Sequence, residues 1–161
     1  MTLVLRELTD ADLPLVEGWF AEAETGRWLG DQSWPRQLLR LAARSPDRFA
    51  YAALRAGVVV ALADAERYRD RRAGVALVVA PAHRRRGVGT AVARALAERP
   101  DLADVVEFIA GVEDGNVAGT ALVVGAGFWQ VTDAPDGGGF TYFAVRPDGG
   151  RPRRPWALPA D

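Results

Sequence analysis

Apolar residues recur along this chain in two rhythms. Leu3-Val4-Leu5 is a short strand-like run. Leu13, Leu15, Val16, Trp19 and Phe20 then follow at helical spacing behind Thr9 and Asp10, either of which can cap a helix. All five are expected to face inward, with Gly26 and Gly30 breaking the helix. Ser33 and Pro35 mark a second helix start whose apolar members are Leu38, Leu39 and Leu41, closed by Pro46-Asp47. Residues 49–54 and 58–65 predict strands joined around Gly57 as a hairpin, and Arg69-Asp70-Arg71-Arg72 is a polar connection.

The middle of the chain changes character. Val75, Ala76, Leu77, Val78 and Val79 form an unbroken apolar run, as expected for a strand covered on both faces. Pro81 and His83-Arg84-Arg85-Arg86-Gly87-Val88-Gly89-Thr90 follow. Val88, Val92, Ala95 and Leu96 then share one helical face, opposite Arg94, Glu98 and Arg99, and Pro100 ends the helix. A strand, a glycine turn and a helix N-terminus in that order form a cradle for a phosphate or pyrophosphate, and three arginines add positive charge to it. His83 sits in the mouth of the turn, where a surface or turn role outweighs a catalytic one.

Further on, the pattern predicts a strand over 105–112, a helix over 116–125 and a strand over 128–132. A flexible turn at Pro135-Asp136-Gly137-Gly138-Gly139 leads to a last strand over 140–145, paired with 129–131 as a hairpin. Residues 1–146 then read as one domain. Residues 147–161, rich in Pro, Gly and Arg, read as a tail that stays disordered unless Trp156 docks.

Which phosphate-binding fold this is depends on spacing. A Walker A loop requires Gly-Lys-Ser/Thr, and all the basic residues here are arginine. A dinucleotide fingerprint would need glycine or alanine where Val92 stands, although Glu107 lies at a plausible distance for a ribose-binding acid. Arg84-x-x-Gly87-x-Gly89 after Val79-Ala80-Pro81 instead resembles the pyrophosphate loop of the GNAT superfamily of N-acetyltransferases. Asn116-Val117-Ala118 after the 105–112 strand, and the closing Gly127-Phe128, resemble that family's second acetyl-CoA motif. The opening Arg6-Glu7-Leu8-Thr9-Asp10-Ala11-Asp12-Leu13 and Trp19 are similar to the branch containing ribosomal-protein alanine and aminoglycoside acetyltransferases.

The resemblance implies an α/β fold: a mixed, twisted sheet flanked by helices, with a splayed central strand pair. It also implies direct attack of a primary amine on the acetyl-CoA thioester, with acetyl-CoA as cosubstrate and no metal. By the same resemblance the backbone of Leu77, Val78 and Val79 forms the pantetheine edge and oxyanion donor. Arg84, Arg85, Arg86, Gly87, Val88, Gly89 and Thr90 cradle the pyrophosphate, and Asn116 holds the pantetheine arm. Trp19, Trp28 and Trp34 are candidates for the acceptor pocket, though large aromatics are more often core.

The chain departs from the family at its acids. Val123 stands where many members carry tyrosine, and Gly119 where the acetyltransferase branch often carries serine, which leaves Thr120 as the nearest hydroxyl. For a general base, Asp64, Glu66 and Glu107 are the nearest carboxylates by topology. Glu66 is preferred, against the alternative of a solvated strand end paired to Arg67 or Arg69. The missing acids keep open a second reading, a non-catalytic acyl-CoA-binding or regulatory domain.

Composition limits the remaining choices. At 161 residues and 49% hydrophobic content the chain suits one domain with a substantial core. With 20 basic against 21 acidic residues, no global field favours nucleic acid or an anionic membrane. There is no cysteine, so thiolate nucleophiles, disulfides and Cys-based metal sites are excluded. With no long apolar stretch and no leader-like start, a cytoplasmic location is expected. The acceptor is a small-molecule or peptide amine of unassigned identity, and a homodimer is left open.

Overall fold

Residues 2–160 are described by the computed structural model. The strands are β1 (Leu3–Glu7), β2 (Arg48–Arg55), β3 (Val58–Arg67), β4 (Arg72–Val79), β5 (Glu107–Glu113), β6 (Trp129–Gln130) and β7 (Phe140–Val145), and they form one sheet in the order β1-β2-β3-β4-β5-β7-β6. The β2–β3 hairpin turns on Ala56 and Gly57, at φ 51° and 77°, as a right-twisted two-residue hairpin requires. All pairings are antiparallel except β4 with β5.

The parallel ladder is short. It consists of Arg72 opposite Glu107, Ala73 opposite Phe108 and Gly74 opposite Ile109. Beyond Gly74, β4 runs on to Val79 paired only with β3, so roughly 15 Å of its other edge stands open. Helices cover the two faces unequally. On one face α4 (Val88–Ala97) sets Val88, Val92 and Leu96 onto Tyr51, Ala61, Ala63 and Ala73, while α5 (Val117–Gly125) sets Val123 onto Ala110, Val112 and Phe143. Each fully buried aliphatic side chain contributes about 1.5–3 kcal/mol. On the other face α1 (Leu13–Trp19) and α3 (Trp34–Arg44) pack Leu13, Val16 and Leu38 over Ala50, Ala52, Leu62 and Val78. Alanines across β2 and β3 let both helix layers approach closely.

The α/β expectation of a mixed sheet flanked by helices, with a splayed central pair, is what the chain forms. Four local expectations differ. The first helix stops at Trp19 and resumes as α2 (Ala23–Leu29), which runs through Gly26; Gly30, at φ 101°, ends it. Leu15 and Leu41 are exposed, because α1 and α3 are short and contact the sheet through narrow stripes. The strand expected over 128–132 is only two residues long. Val75–Val79 is mostly half-buried, because the β5 side of β4 opens instead of being covered.

The segment after Val145 lies on the body. Gly149 accepts a hydrogen bond from Trp129 Nε1 (3.3 Å), Pro152 is buried, and Trp156 docks at the start of β5. Among the described residues no helix is long and apolar enough to cross a membrane.

Candidate active site

The open edge of β4 presents a defined set of backbone groups. Ala80 N–H donates to Val60 O (2.9 Å) and Tyr68 N–H to Arg72 O (2.8 Å), both in register with the β3–β4 ladder. Antiparallel alternation then assigns the amides of Gly74, Ala76 and Val78 to β3; that of Val75 closes the parallel ladder at the Gly74–Ile109 pair, and those of Leu77 and Val79 are left on the open edge. Of the three expected pantetheine residues, Leu77 and Val79 therefore face the gap, whereas the Val78 amide belongs to the β3 ladder.

The edge leads into the turn. Pro81–His83 form one tight turn, Arg84 is extended, Arg85 takes φ 60°, and Gly87, at φ 73°, caps α4. No side chain caps that helix end, so the amides of its first turn keep their donors for another acceptor. Gly87 answers a left-handed backbone. Gly89 answers packing: a Cβ there would lie 2.5 Å from Leu122 Cδ1 and 3.5 Å from Val79 Cγ2, so glycine lets α4 approach α5 and β4 closely. Arg85 and Arg86 are exposed beside the turn, and Thr90 is half-buried.

Arg84 turns away from the other arginines. Its Nη1 lies 3.0 Å from Glu22 Oε2, and its Nη2 donates to the buried Thr25 Oγ1. Glu22 also accepts from Thr25 N–H (3.2 Å) and so caps α2. The Arg84 guanidinium, with the Thr25 bonds, holds the Glu22 carboxyl down to about 2. The first arginine of the turn thus ties it to α2. That helix faces the start of α5 across a cavity of about 450 Å³ lined by Glu24, Arg27, Trp28, Gly115, Asn116 and Val117.

Asn116 caps α5, its Oδ1 accepting from Gly119 N–H at 2.9 Å. A Cβ on Gly119 would sit 2.6 Å from Asn116 Nδ2, so any larger residue there would have to displace the capping side chain. The exposed Thr120 hydroxyl donates to Asn116 O (3.3 Å). Val123 is core beneath β5, so a tyrosine there would overpack.

The carboxylates lie on the sheet face opposite α4. Counting by two from Leu62 places both Asp64 and Glu66 on it. Asp64 pairs across the ladder with Ala76, two residues past the last β4–β5 contact, which puts it one strand from the open edge. Its side chain is 15% exposed and lies 3.5 Å from Arg48 Nη2. Burial pushes the Asp64 carboxyl up to about 6; the Arg48 charge opposes this and the Glu66 charge adds to it. Glu66 is 43% exposed, held by Arg48 Nη1 at 2.8 Å. It borders a second cavity, about 510 Å³, with Asp47, Arg67, Tyr68 and Asp104, beyond the end of β3. Arg48 therefore joins Glu66 to Asp64, and only Asp64 lies beside the open stretch of β4. Glu107 is buried at the start of β5, bound to Arg72 and Trp156. Among the described residues no cluster of His, Cys, Asp and Glu could hold a metal ion.

A model of the acetyltransferase (GNAT) family matches residues 13–128. Among solved structures, the aminoglycoside acetyltransferase AAC(6')-Ib in complex with coenzyme A is similar, with a TM-score of 0.77 at 18% identity over 92% of this chain and 96% of that one. An acetyltransferase from Thermus thermophilus gives 0.75 at 21% identity, over 91% and 97%. The spermidine N-acetyltransferase from Vibrio cholerae, in complex with CoA and spermine, gives 0.74 at 13%, over 91% and 96%. At these identities the likeness is one of fold. No curated protein matches the chain.

Proposed function

Because the chain belongs to the GNAT family of acetyltransferases, we propose that it transfers the acetyl group of acetyl-CoA to a primary amine by direct attack. The observation that carries this reading is the open edge of β4 running into an uncapped helix N-terminus. The pyrophosphate would sit on the first-turn amides of α4, from Gly87 to Thr90, with Arg85 and Arg86 beside it. The pantetheine arm would extend beside Leu77 and Val79 as a strand beside a strand, and Asn116 would border it from the far side of the gap. The free edge amide of Leu77 would donate to the developing oxyanion.

The amine must reach the thioester from the face that α4 and α5 do not cover. Asp64 is on that face and is the base in this reading. The lone pair of the neutral amine attacks the carbonyl carbon, the C–S bond breaks, and Asp64 takes the proton released from nitrogen, directly or through one water. Glu66 tunes it through Arg48. With Gly119 and Val123 in place of hydroxyl residues, the thiolate leaves without a side-chain acid and takes its proton from water, unless Thr120 supplies one.

The direct test is release of free CoA thiol from acetyl-CoA across a panel of amines, alongside thermal shifts with acetyl-CoA and with NAD. Stabilisation by acetyl-CoA together with amine-dependent thiol release supports the reading. Stabilisation with no release across the panel would leave an acyl-CoA-binding domain, and stabilisation by NAD alone would return the dinucleotide alternative. The arginines separate within the same assay. Arg85→Ala and Arg86→Ala are expected to weaken CoA binding by about 1 kcal/mol each, less at high salt. Arg84→Ala is expected to lower the Tm of the free protein, because it unties the turn from α2, and to change CoA affinity less than either. Equal CoA losses in all three variants would assign Arg84 to the phosphate instead.

A further inference from the structure

On the face that carries Asp64, α1 and α3 pack over β2, β3 and the end of β4, and α2 reaches Gly115 just past the end of β5. Nearer the closed end of the gap, aromatic rings and the C-terminal segment lie over β4, β5 and β7. Gly74 and Gly111 lie on this face at either side of the gap, and each has a ring resting on it. A Cβ at Gly74 would meet the Tyr68 hydroxyl at 2.9 Å, and one at Gly111 would meet Tyr142 at 3.1 Å and Phe140 at 3.4 Å. Both glycines let rings lie at the level of the sheet. Trp156 completes the set, its ring centroid 5.9 Å from that of Tyr142.

Trp156 is held by polar contacts rather than by loose packing. Its Nε1 donates to Glu107 Oε2 (2.9 Å), and Arg72 Nη1 donates to Ala157 O (2.7 Å). Arg72 and Glu107 are the first pair of the parallel ladder, so the C-terminal segment is fastened where the gap between β4 and β5 closes. Tyr68, Tyr142 and Trp156 are each half-buried and Phe140 is exposed, so the rings keep free surface. Carboxylates and guanidinium groups both border the rings: Tyr142 donates to Asp136 (3.0 Å), Asp64 and Glu66 lie across the gap, Arg48 and Arg72 are each paired to two carboxylates, and Arg72 also lies over the Trp156 ring at 5.7 Å.

We propose that these rings, closed off by Trp156 of the C-terminal segment, form the acceptor subsite and select primary amines borne on a flat apolar body, the arylalkylamine class. The proposal rests on the acetyl-transfer reading above. Ring faces receive an aromatic body edge-on or offset and attract a neighbouring ammonium. The row formed by Asp64, Ala76, Gly111 and Tyr142 sets the base on one side of the gap and the rings on the other, so the amine of a body lying on Tyr142 points toward the thioester and Asp64. A polyhydroxylated sugar would need hydrogen-bonding groups that ring faces do not offer.

The test is steady-state kinetics of the full chain with acetyl-CoA and three acceptors: 2-phenylethylamine, kanamycin and spermidine. The expected result is the highest kcat/KM for 2-phenylethylamine. Trp156→Ala should raise its KM roughly fivefold to tenfold while the KM for acetyl-CoA stays the same, and Trp156→Phe should recover most of the loss. Phe140→Ala, whose ring does not anchor the C-terminal segment, should raise the same KM. Turnover of kanamycin or spermidine in preference to 2-phenylethylamine overturns this proposal and leaves acetyl transfer standing. So does a Trp156→Ala variant that retains its acetyl-CoA thermal shift and an unchanged acceptor KM. No thiol release with any amine, despite stabilisation by acetyl-CoA, overturns the acetyl-transfer reading and this proposal with it.

Discussion

Replacing Asp64 with Asn is expected to lower turnover by about 10²-fold or more while leaving the thermal shift with acetyl-CoA intact. The carboxyl sits beside the open stretch of β4, and burial raises it to about 6, where it can accept a proton near neutral pH. The charged groups on it are Arg48, from β2, and Glu66, from β3 itself. The wild-type rate should therefore fall as pH drops through about 6, and that limb should vanish in the Asn variant.

Stability should move the other way. A carboxyl raised from 3.8 to about 6 binds its proton more tightly in the folded chain than in the unfolded one. Its contribution is fully favourable below about 4 and is lost as pH rises through about 6. At neutral pH Asp64→Asn should be neutral or mildly stabilising, since Arg48 keeps Glu66 as its partner. Lost turnover without lost stability separates a base from a packing residue. Lost turnover accompanied by a lower Tm and an unchanged pH limb would remove Asp64 from the role. Glu66→Gln should shift the limb downward, because it removes a negative neighbour, and should cost much less in rate.

The sequence makes the strand, glycine turn and helix legible because each leaves a local mark: an apolar run, glycines at fixed offsets, and apolar positions at helical spacing. It cannot separate Asp64 from Glu66. Both have the same parity on β3 and so the same face, and what distinguishes them is depth, set by where the β4–β5 ladder ends. The partner of Arg84 is hidden for a related reason. Glu22 and Thr25 lie about sixty residues upstream, on a helix that the pattern merges with its predecessor because Gly26 looks like a breaker. Trp156 stands out as the one group able to dock the C-terminal segment, but its acceptor, Glu107, reads as a ribose-binding acid or a spare carboxylate. Gly89 is legible as a required glycine for a different reason from the one the structure gives, since Leu122 is remote in sequence.

Gly89→Glu is expected to produce the largest loss on the cofactor side. A Cβ at position 89 already displaces Leu122, so Gly89→Ala should cost on the order of 1–2 kcal/mol of stability and weaken CoA moderately as α4 and α5 part. Glutamate adds a charge in the first turn of α4. There the helix dipole and the uncapped amides favour a carboxylate, which offsets part of the packing loss in the free protein. The same carboxylate competes for those amides and repels a pyrophosphate. With ligand at a hundred times its dissociation constant, binding stabilises the fold by about 2.7 kcal/mol, and a 100-fold weaker complex leaves about 0.4 kcal/mol. The melting rise with acetyl-CoA should therefore nearly vanish in Gly89→Glu and survive in part in Gly89→Ala, both measured on protein shown to be folded by circular dichroism. If the Glu variant folds and is still stabilised as strongly as the wild type, the pyrophosphate does not lie on this turn.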